Sequence, residues 1–375
     1  MRTELERLET PVPVVDLDRL ERNLARAADY ARGHGVTLRP HVKTHKSPVV
    51  AAGQMERGAV GLTCATPREL EVMSTAASDL LCAYPPIGAS TLVRLMALPL
   101  PVALSVSLDS HEAIAALAVA ARQAKRTVRV LVEVDVGMHR VGVPTARDAI
   151  ALARAVREGD GLVYGGVAFY PGHIRMHVNE QEAALELLND RLSSILREMD
   201  DAGVRPPIVS GGSTPTLWRT HEMRRVTECR AGTYVFNDRT TMEIGACAWE
   251  DCALTVLASV VSTSVSGQAV IDAGSKALGR EPIRGTTGDG FGVVLTHPEV
   301  TVASMSEEHG ILDLGATTWR PRVGEQVRIV PNHVCIVVHL HEQVYGLRGD
   351  KIVAEWPVAA RGRRLVASEL RAGAS

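Results

Sequence analysis

The stretch "RPHVKTHK", Arg39 to Lys46, sets two lysines, two histidines and an arginine within eight residues. An amine placed just past a buried strand and ringed by Arg39, His41, His45 and Lys46 is disfavoured as a cation. Desolvation and like charge both lower its pKa. That is how a lysine becomes a nucleophile, and Lys43 is the position the pattern selects. The natural partner of an unprotonated amine is an aldehyde cofactor, captured as a Schiff base. A solvated basic loop is the competing reading of the same residues.

Other stretches carry compatible chemistry. "SGGST", Ser210 to Thr214, offers backbone N–H groups and hydroxyls where a phosphate can approach closely, although Gly-Ser loops are also ordinary turns. "AGTY", Ala231 to Tyr234, is a second such donor group. "EVDVGMHRVG" ends an apolar strand with Arg140, a permanent cation suited to a phenolate or carboxylate oxygen, or else to a structural acid such as Asp135. "PNHVC" places His333 and Cys335 two residues apart, so on a β-strand both leave the same face. Imidazole with thiolate suits Zn²⁺ and leaves coordination positions open, whereas a buried histidine beside a core cysteine is the plainer account.

These residues need elements to hold them. A helical face made by Leu17, Leu20, Leu24, Ala27 and Ala28 leads into a repeating strand and helix rhythm. Its strands are "GVTLRPHVK", "VGLTCAT", "DLLCAY", "ALSVSLDS", "TVRVLVEVDVG", "LVYGGVAFYPGH", "PPIVSGGST" and "ECRAGTYVFND". Eight such runs, apolar on nearly every residue, predict a parallel (β/α)₈ barrel of the TIM type, with a doubly wound open sheet as the alternative. Chemistry in such barrels sits at the C-terminal strand ends, which here carry Lys43, Arg140, Tyr170, His173, Ser210 to Thr214 and Gly232 to Tyr234. A phosphate site built by the loops after strands seven and eight recurs in these folds, and "SGGST" and "AGTY" occupy those places. After Ala246 short alternating runs punctuated by Gly, Pro and Asp predict an antiparallel β domain. The expected layout is residues 1–15 as an N-terminal strand joining that domain, 16–246 as the barrel, and 247–375 as the β domain, ending in the ragged tail "RGRRLVASELRAGAS".

A formal net charge of -2 over 375 residues makes the basic tract local and argues against nucleic-acid binding. No early stretch reads as a signal peptide and no apolar run is long enough to cross a membrane, so a cytoplasmic protein is expected. Six scattered cysteines fit reduced thiols better than a disulfide framework.

"TPVPVVDLDRLERNL", "RPHVKTHK", "DVGMHRVG" and "RAGTY" together resemble the alanine racemase-like fold of pyridoxal phosphate enzymes. Within it, "PHVKTHK", "DAGSKAL", "SEEHG" and "PNHVC" are similar to the branch of D-threonine aldolases and eukaryotic-type D-serine dehydratases, over about Thr10 to Arg363. The resemblance implies that Lys43 binds pyridoxal 5'-phosphate, Arg140 meets its phenolic oxygen, and Gly212, Ser213, Gly232 and Thr233 cradle its phosphate; Ser210, Thr214 and Tyr234 are further candidates from the two donor stretches. Arg230 or Tyr170 would face the ring nitrogen. It also implies a divalent metal at His333 and Cys335, Zn²⁺ from the donor types with Mn²⁺ or Mg²⁺ as alternatives. His339, His341 and Glu342 are further candidates against an exposed strand end, and His309 would support the ligands. Aldolases of this branch often show an acid where Cys335 stands, while the dehydratases resemble this chain.

The expected activity is cleavage of D-β-hydroxy amino acids of the D-threonine type to glycine and an aldehyde, with His173, or failing that His177, taking the hydroxyl proton. The alternative is D-serine dehydration to pyruvate and ammonia. A non-catalytic role in pyridoxal phosphate homeostasis and amino acid racemisation are more remote. The fold resemblance implies a homodimer.

Overall fold

The computed structural model describes residues 4–286 and 288–362, so the tail from Arg363 onward and the first three residues of the N-terminal stretch lie outside the described residues. Two compact units emerge. One holds residues 4–27 with Arg175–Gln181 and Thr233–Val358; the other holds Ala28–Ile174, Glu182–Gly232 and residues 359–362. The chain passes from one to the other between Gly232 and Thr233, ahead of the boundary read at Ala246.

The first strand, β1 (Val12–Asp16), belongs to the unit containing Thr233–Val358. The other unit is built on β2 (Thr37–Leu38), β3 (Leu62–Cys64), β4 (Asp79–Cys82), β5 (Ala103–Leu108), β6 (Val128–Glu133), β7 (Leu162–Ala168), β8 (Ile208–Gly211) and β9 (Glu228–Cys229). From β3 to β9 each pairs in parallel with the next, and β9 pairs with β2. Between β2 and β3 the ring is closed by a parallel bridge of His41 with Thr63, with Val42 N–H donating to Thr63 O at 2.9 Å and Thr63 N–H to Pro40 O at 2.9 Å. The sheet is therefore a barrel, and the open doubly wound alternative is excluded.

The intervening helices follow from local sequence. Over Ala146–Glu158 the Thr145 side chain accepts from Asp148 N–H, Arg157 sits in the last turn, and Ala149, Leu152, Ala153 and Val156 bury one face at helical spacing. Ser47 caps Pro48–Glu56 in the same way, with proline in the first turn, and so fixes where the lysine-bearing stretch must end. Inside the barrel, Arg39 is 4% exposed, with Nε 2.8 Å from Glu228 Oε2 and Nη1 2.8 Å from Asp79 Oδ1. Its charge is buried but fully opposed, the condition under which such a group is tolerated.

The other unit adds β10 (Leu254–Ser262), β11 (Gln268–Ile271), β12 (Gly292–Val294), β13 (His297–Met305), β14 (Gly310–Asp313), β15 (Gln326–Pro331), β16 (Gln343–Arg348) and β17 (Lys351–Pro357). Their order is β11-β14-β13-β12-β15-β10-β1-β16-β17, and β11 also pairs with β10, which closes six of them into a ring. β1 runs antiparallel to β10 and parallel to β16.

One expectation fails here. "PNHVC" is not on a strand: β15 ends at Pro331 and a helix spans Val334–Leu340, with His333 as its extended N-cap residue. Pro331 has no N–H to continue a ladder, and Asn332 Nδ2 turns instead to Glu281 O (3.0 Å) and Gly290 O (2.9 Å). The following β-branched run reads as strand by propensity, yet Val334, Val337 and Val338 are the residues buried, which is helical spacing. Among the described residues no helix is long and apolar enough to cross a membrane.

Candidate active site

Three expected residues meet at the C-terminal strand ends of the barrel. Lys43 Nζ lies 5.9 Å from the Tyr170 ring centroid and Arg140 Cζ 4.8 Å from it, bringing together the loops after β2, β6 and β7. A Cβ on Gly172 would stand 2.1 Å from Tyr170 Cε1, so only glycine lets the ring keep this position. Arg140 is not the structural partner of Asp135, whose carboxylate instead accepts from Gly137 and His139 N–H, both at 3.0 Å, and from His139 Nδ1 at 2.9 Å. That carboxylate ties down the loop from which Arg140 projects.

The basic tract is less cationic than its composition. Lys46 is the buried lysine, 7% exposed and paired with the Glu69 carboxylate, whose other oxygen accepts from Ala65 N–H at 2.6 Å. Burial holds His45 down to about 3, and burial foremost, with the charges of Lys43 and Arg230 next, holds His41 well below the usual imidazole range. Arg39 is neutralised by Glu228 and Asp79. Lys43 itself is exposed. The desolvation read for it from sequence thus falls on its neighbours, because the tight turn after β2 buries Val42 and the four residues from Thr44 to Ser47 and leaves Lys43 exposed.

The expected phosphate loops divide. Gly212 has a positive φ of 95°, Ser213 Oγ is 3.0 Å from Thr216 Oγ1, and Thr214 is buried beside them. A Cβ on Gly232 would lie 2.7 Å from His41 O and 3.1 Å from Thr44 Oγ1. Ser210 does not join them: its hydroxyl donates to Glu228 Oε1 at 2.6 Å, inside the barrel, because alternation along β8 points it away from the loop. Arg230 donates from Nη2 to Phe169 O at 2.8 Å, while its buried Nη1 has no hydrogen-bond partner. Glu133, buried at the end of β6, accepts from Ser107, and burial pushes its carboxyl up against the lowering pull of Arg230. A buried guanidinium donor without a partner, a glycine with no room for Cβ and an exposed lysine are what a phosphorylated pyridine aldehyde needs, so these residues fit that cofactor.

The two expected bases part company. The His173 ring comes within 3.2 Å of where a Cβ on Gly137 would stand, so it rests on the loop after β6. His177 lies in the other unit, where its Nδ1 faces Asn179 N–H at 3.3 Å at the start of a short 3-10 turn.

In that unit, Thr233 Oγ1 is 3.8 Å from Cys335 Sγ, and Tyr234 is 3% exposed. His333 Nδ1 is 3.1 Å from Asp238 Oδ2. Burial disfavours the imidazolium, but the Cys335 sulfur and the Asp238 carboxylate outweigh it and raise His333 well above its usual range. The strand argument for the pair fails, yet the helix start still brings imidazole and thiol side by side. A nitrogen and a sulfur donor fit a Zn²⁺ ion. Among the described residues, no group of three or more His, Cys, Asp or Glu side chains is arranged to hold a metal. His341 Nε2 is 3.0 Å from Ala277 O, His339 is exposed, and His309 lies in an exposed turn before β14. Asp238 escaped the sequence reading, although "DRTT" carries the spacing of a helix cap, which it forms with Thr241.

The chain matches the model of the alanine racemase N-terminal domain over residues 15–240 and that of a serine dehydratase domain over 253–347. It is 35% identical over 380 residues to D-threo-3-hydroxyaspartate dehydratase of Delftia sp., covering 95% of this chain and 98% of that one. It is 30% identical to D-threonine aldolase of Arthrobacter sp., covering 96% and 94%. The solved structure of the Delftia dehydratase superposes with a TM-score of 0.88 at 33% identity, covering 97% of this chain and all of that one. Solved structures of D-threo-3-hydroxyaspartate dehydratase also include a histidine-to-alanine variant and, two positions further along, a cysteine-to-alanine variant in a metal-free form. The barrel, the β unit and both domain models agree, and the chain belongs to the D-threonine aldolase and D-serine dehydratase branch of the alanine racemase-like enzymes.

Proposed function

We propose that this chain is a pyridoxal phosphate- and divalent metal-dependent lyase of D-β-hydroxy amino acids that eliminates the β-hydroxyl to give a keto acid and ammonia. The observation that carries it is the His333–Cys335 pair, which has the residue types and spacing of the two positions substituted in the D-threo-3-hydroxyaspartate dehydratase variants. Lys43, Arg140, Arg230 and Gly232 would hold the cofactor, which when bound withdraws electrons from the substrate α carbon. Lys43 Nζ takes the α proton. Arg140 is the fixed charge beside the Tyr170 ring, and Arg230 Nη1 is a donor waiting for an acceptor. His333 and Cys335 would hold a metal whose Lewis acidity eases departure of a hydroxyl. Cleavage to glycine and an aldehyde is the second reading, favoured by the D-threonine aldolase match and by His173, a candidate to take a hydroxyl proton.

The purified protein, loaded with cofactor and Zn²⁺, is given D-serine, D-threo-3-hydroxyaspartate and D-threonine separately. Keto acid with ammonia supports elimination; glycine with acetaldehyde from D-threonine replaces it by the aldolase reading; neither product from any of the three overturns both. A homodimer belongs to the same proposal and is checked by sedimentation.

A further inference from the structure

We infer that Asp238 is the residue that sets metal affinity, by holding His333 in the one tautomer and orientation that presents Nε2. The inference rests on the metal reading above and adds a residue that neither sequence nor comparison assigned.

Asp238 is fully buried. Its Oδ1 accepts from Thr241 N–H at 2.9 Å and from Thr241 Oγ1 at 3.0 Å, and its Oδ2 lies 3.2 Å from Val334 N and 3.1 Å from His333 Nδ1. A carboxylate only accepts, so Nδ1 must carry the proton in that contact, and the lone pair of a neutral His333 is on Nε2. The same Oδ2 anchors the backbone of Val334, the residue between His333 and Cys335. One buried carboxylate therefore fixes both the imidazole and the first turn that carries the thiol. Such a partner also makes the imidazole a stronger base toward a metal, and removing it from a histidine ligand weakens binding about 10- to 100-fold.

Asp238 has a second task, the cap on Arg239–Glu243, and the experiment must separate the two. Zn²⁺ affinity of the cofactor-loaded protein is measured by competition with a chromophoric chelator for wild type, Asp238→Asn, Asp238→Ser and Thr241→Val. Asparagine keeps an oxygen for Thr241 but is a weaker partner for His333. Serine keeps the cap and is too short to reach His333, and it stands in for asparagine if that variant does not fold. Thr241→Val disturbs the cap and leaves His333 alone. The expected result is a Zn²⁺ dissociation constant raised about 10- to 100-fold in both Asp238 variants. Thr241→Val should melt earlier yet bind Zn²⁺ as wild type does, and the visible cofactor band should persist in all. Wild-type affinity in the folded Asp238 variants, or equal weakening in Thr241→Val, overturns the role of Asp238. A wild type that takes up no Zn²⁺, Mn²⁺ or Mg²⁺ overturns the metal reading itself, and the inference with it.

Discussion

The stretches "RPHVKTHK" and "PNHVC" both follow the end of a β-strand, and both were picked from sequence for their chemistry, but the chain treats them differently. After β2 the backbone stays in the barrel wall long enough to bridge Thr63, then makes a tight turn in which Thr44, His45, Lys46 and Ser47 are all buried. Lys46 pairs with Glu69 and His45 Nδ1 with Ser47 O, and one lysine is left facing out. After β15 the ladder stops at a proline, and a helix begins that places imidazole and thiol beside each other through a cap rather than through strand alternation. The difference teaches that residue types and spacing can single out a site while misjudging the element that presents it. In one stretch the surroundings neutralise the charges that were to activate the lysine; in the other a carboxylate from a distant segment orients the histidine.

The two stretches should fail separately, and the largest effect belongs to Lys43. Lys43→Ala is expected to abolish the borohydride-fixable visible band and to cut turnover by ~10³-fold or more, with Zn²⁺ content unchanged. Cys335→Ala should do the reverse, losing Zn²⁺ by elemental analysis and ~10²-fold of turnover while the band remains. A variant that loses both signals at once would erase the distinction between the stretches.

Lys46→Met strands the buried Glu69 carboxylate, and breaking such a pair costs about 3–5 kcal/mol. Urea unfolding measures it, and an unchanged midpoint would mean that Lys46 is solvated after all. The last effect is on the pH dependence of stability, and it vanishes near neutral pH. His45 is held at about 3 when folded against an ordinary 6.5, so below pH 6.5 the unfolded chain binds a proton that the folded one refuses. Stability then falls as pH drops from about 6.5 towards 3, by up to about 1.4 kcal/mol per pH unit from this one group. In His45→Gln the slope of unfolding free energy against pH should flatten by about one proton over that window.

Much of the fold was legible because the signal is local and repeated. Eight near-continuous apolar runs alternating with helical faces leave few ways to bury both sides of each strand, and β2 to β9 appear where the runs stand. Lys43, Arg140 and Tyr170 were legible for the same reason, since a residue just past a parallel strand must lie at one end of the barrel. The direction of Ser210 was not, because a neighbour in a binding motif can still point into the barrel, and only its packing partners decide that. Asp238 was hidden too: it is 95 residues from His333 in sequence and joins it only through folding.

The sequence by itself determined the barrel, the change to β structure after it, and the residue types that can do chemistry, because hydrophobic period and donor identity are written one residue at a time. Tertiary structure alone decided which lysine is buried, which hydroxyl is spent inside the barrel, and that His333 begins a helix under the hold of Asp238. Those outcomes depend on what distant segments bring within about 3 Å, the range over which hydrogen bonds and buried charges act.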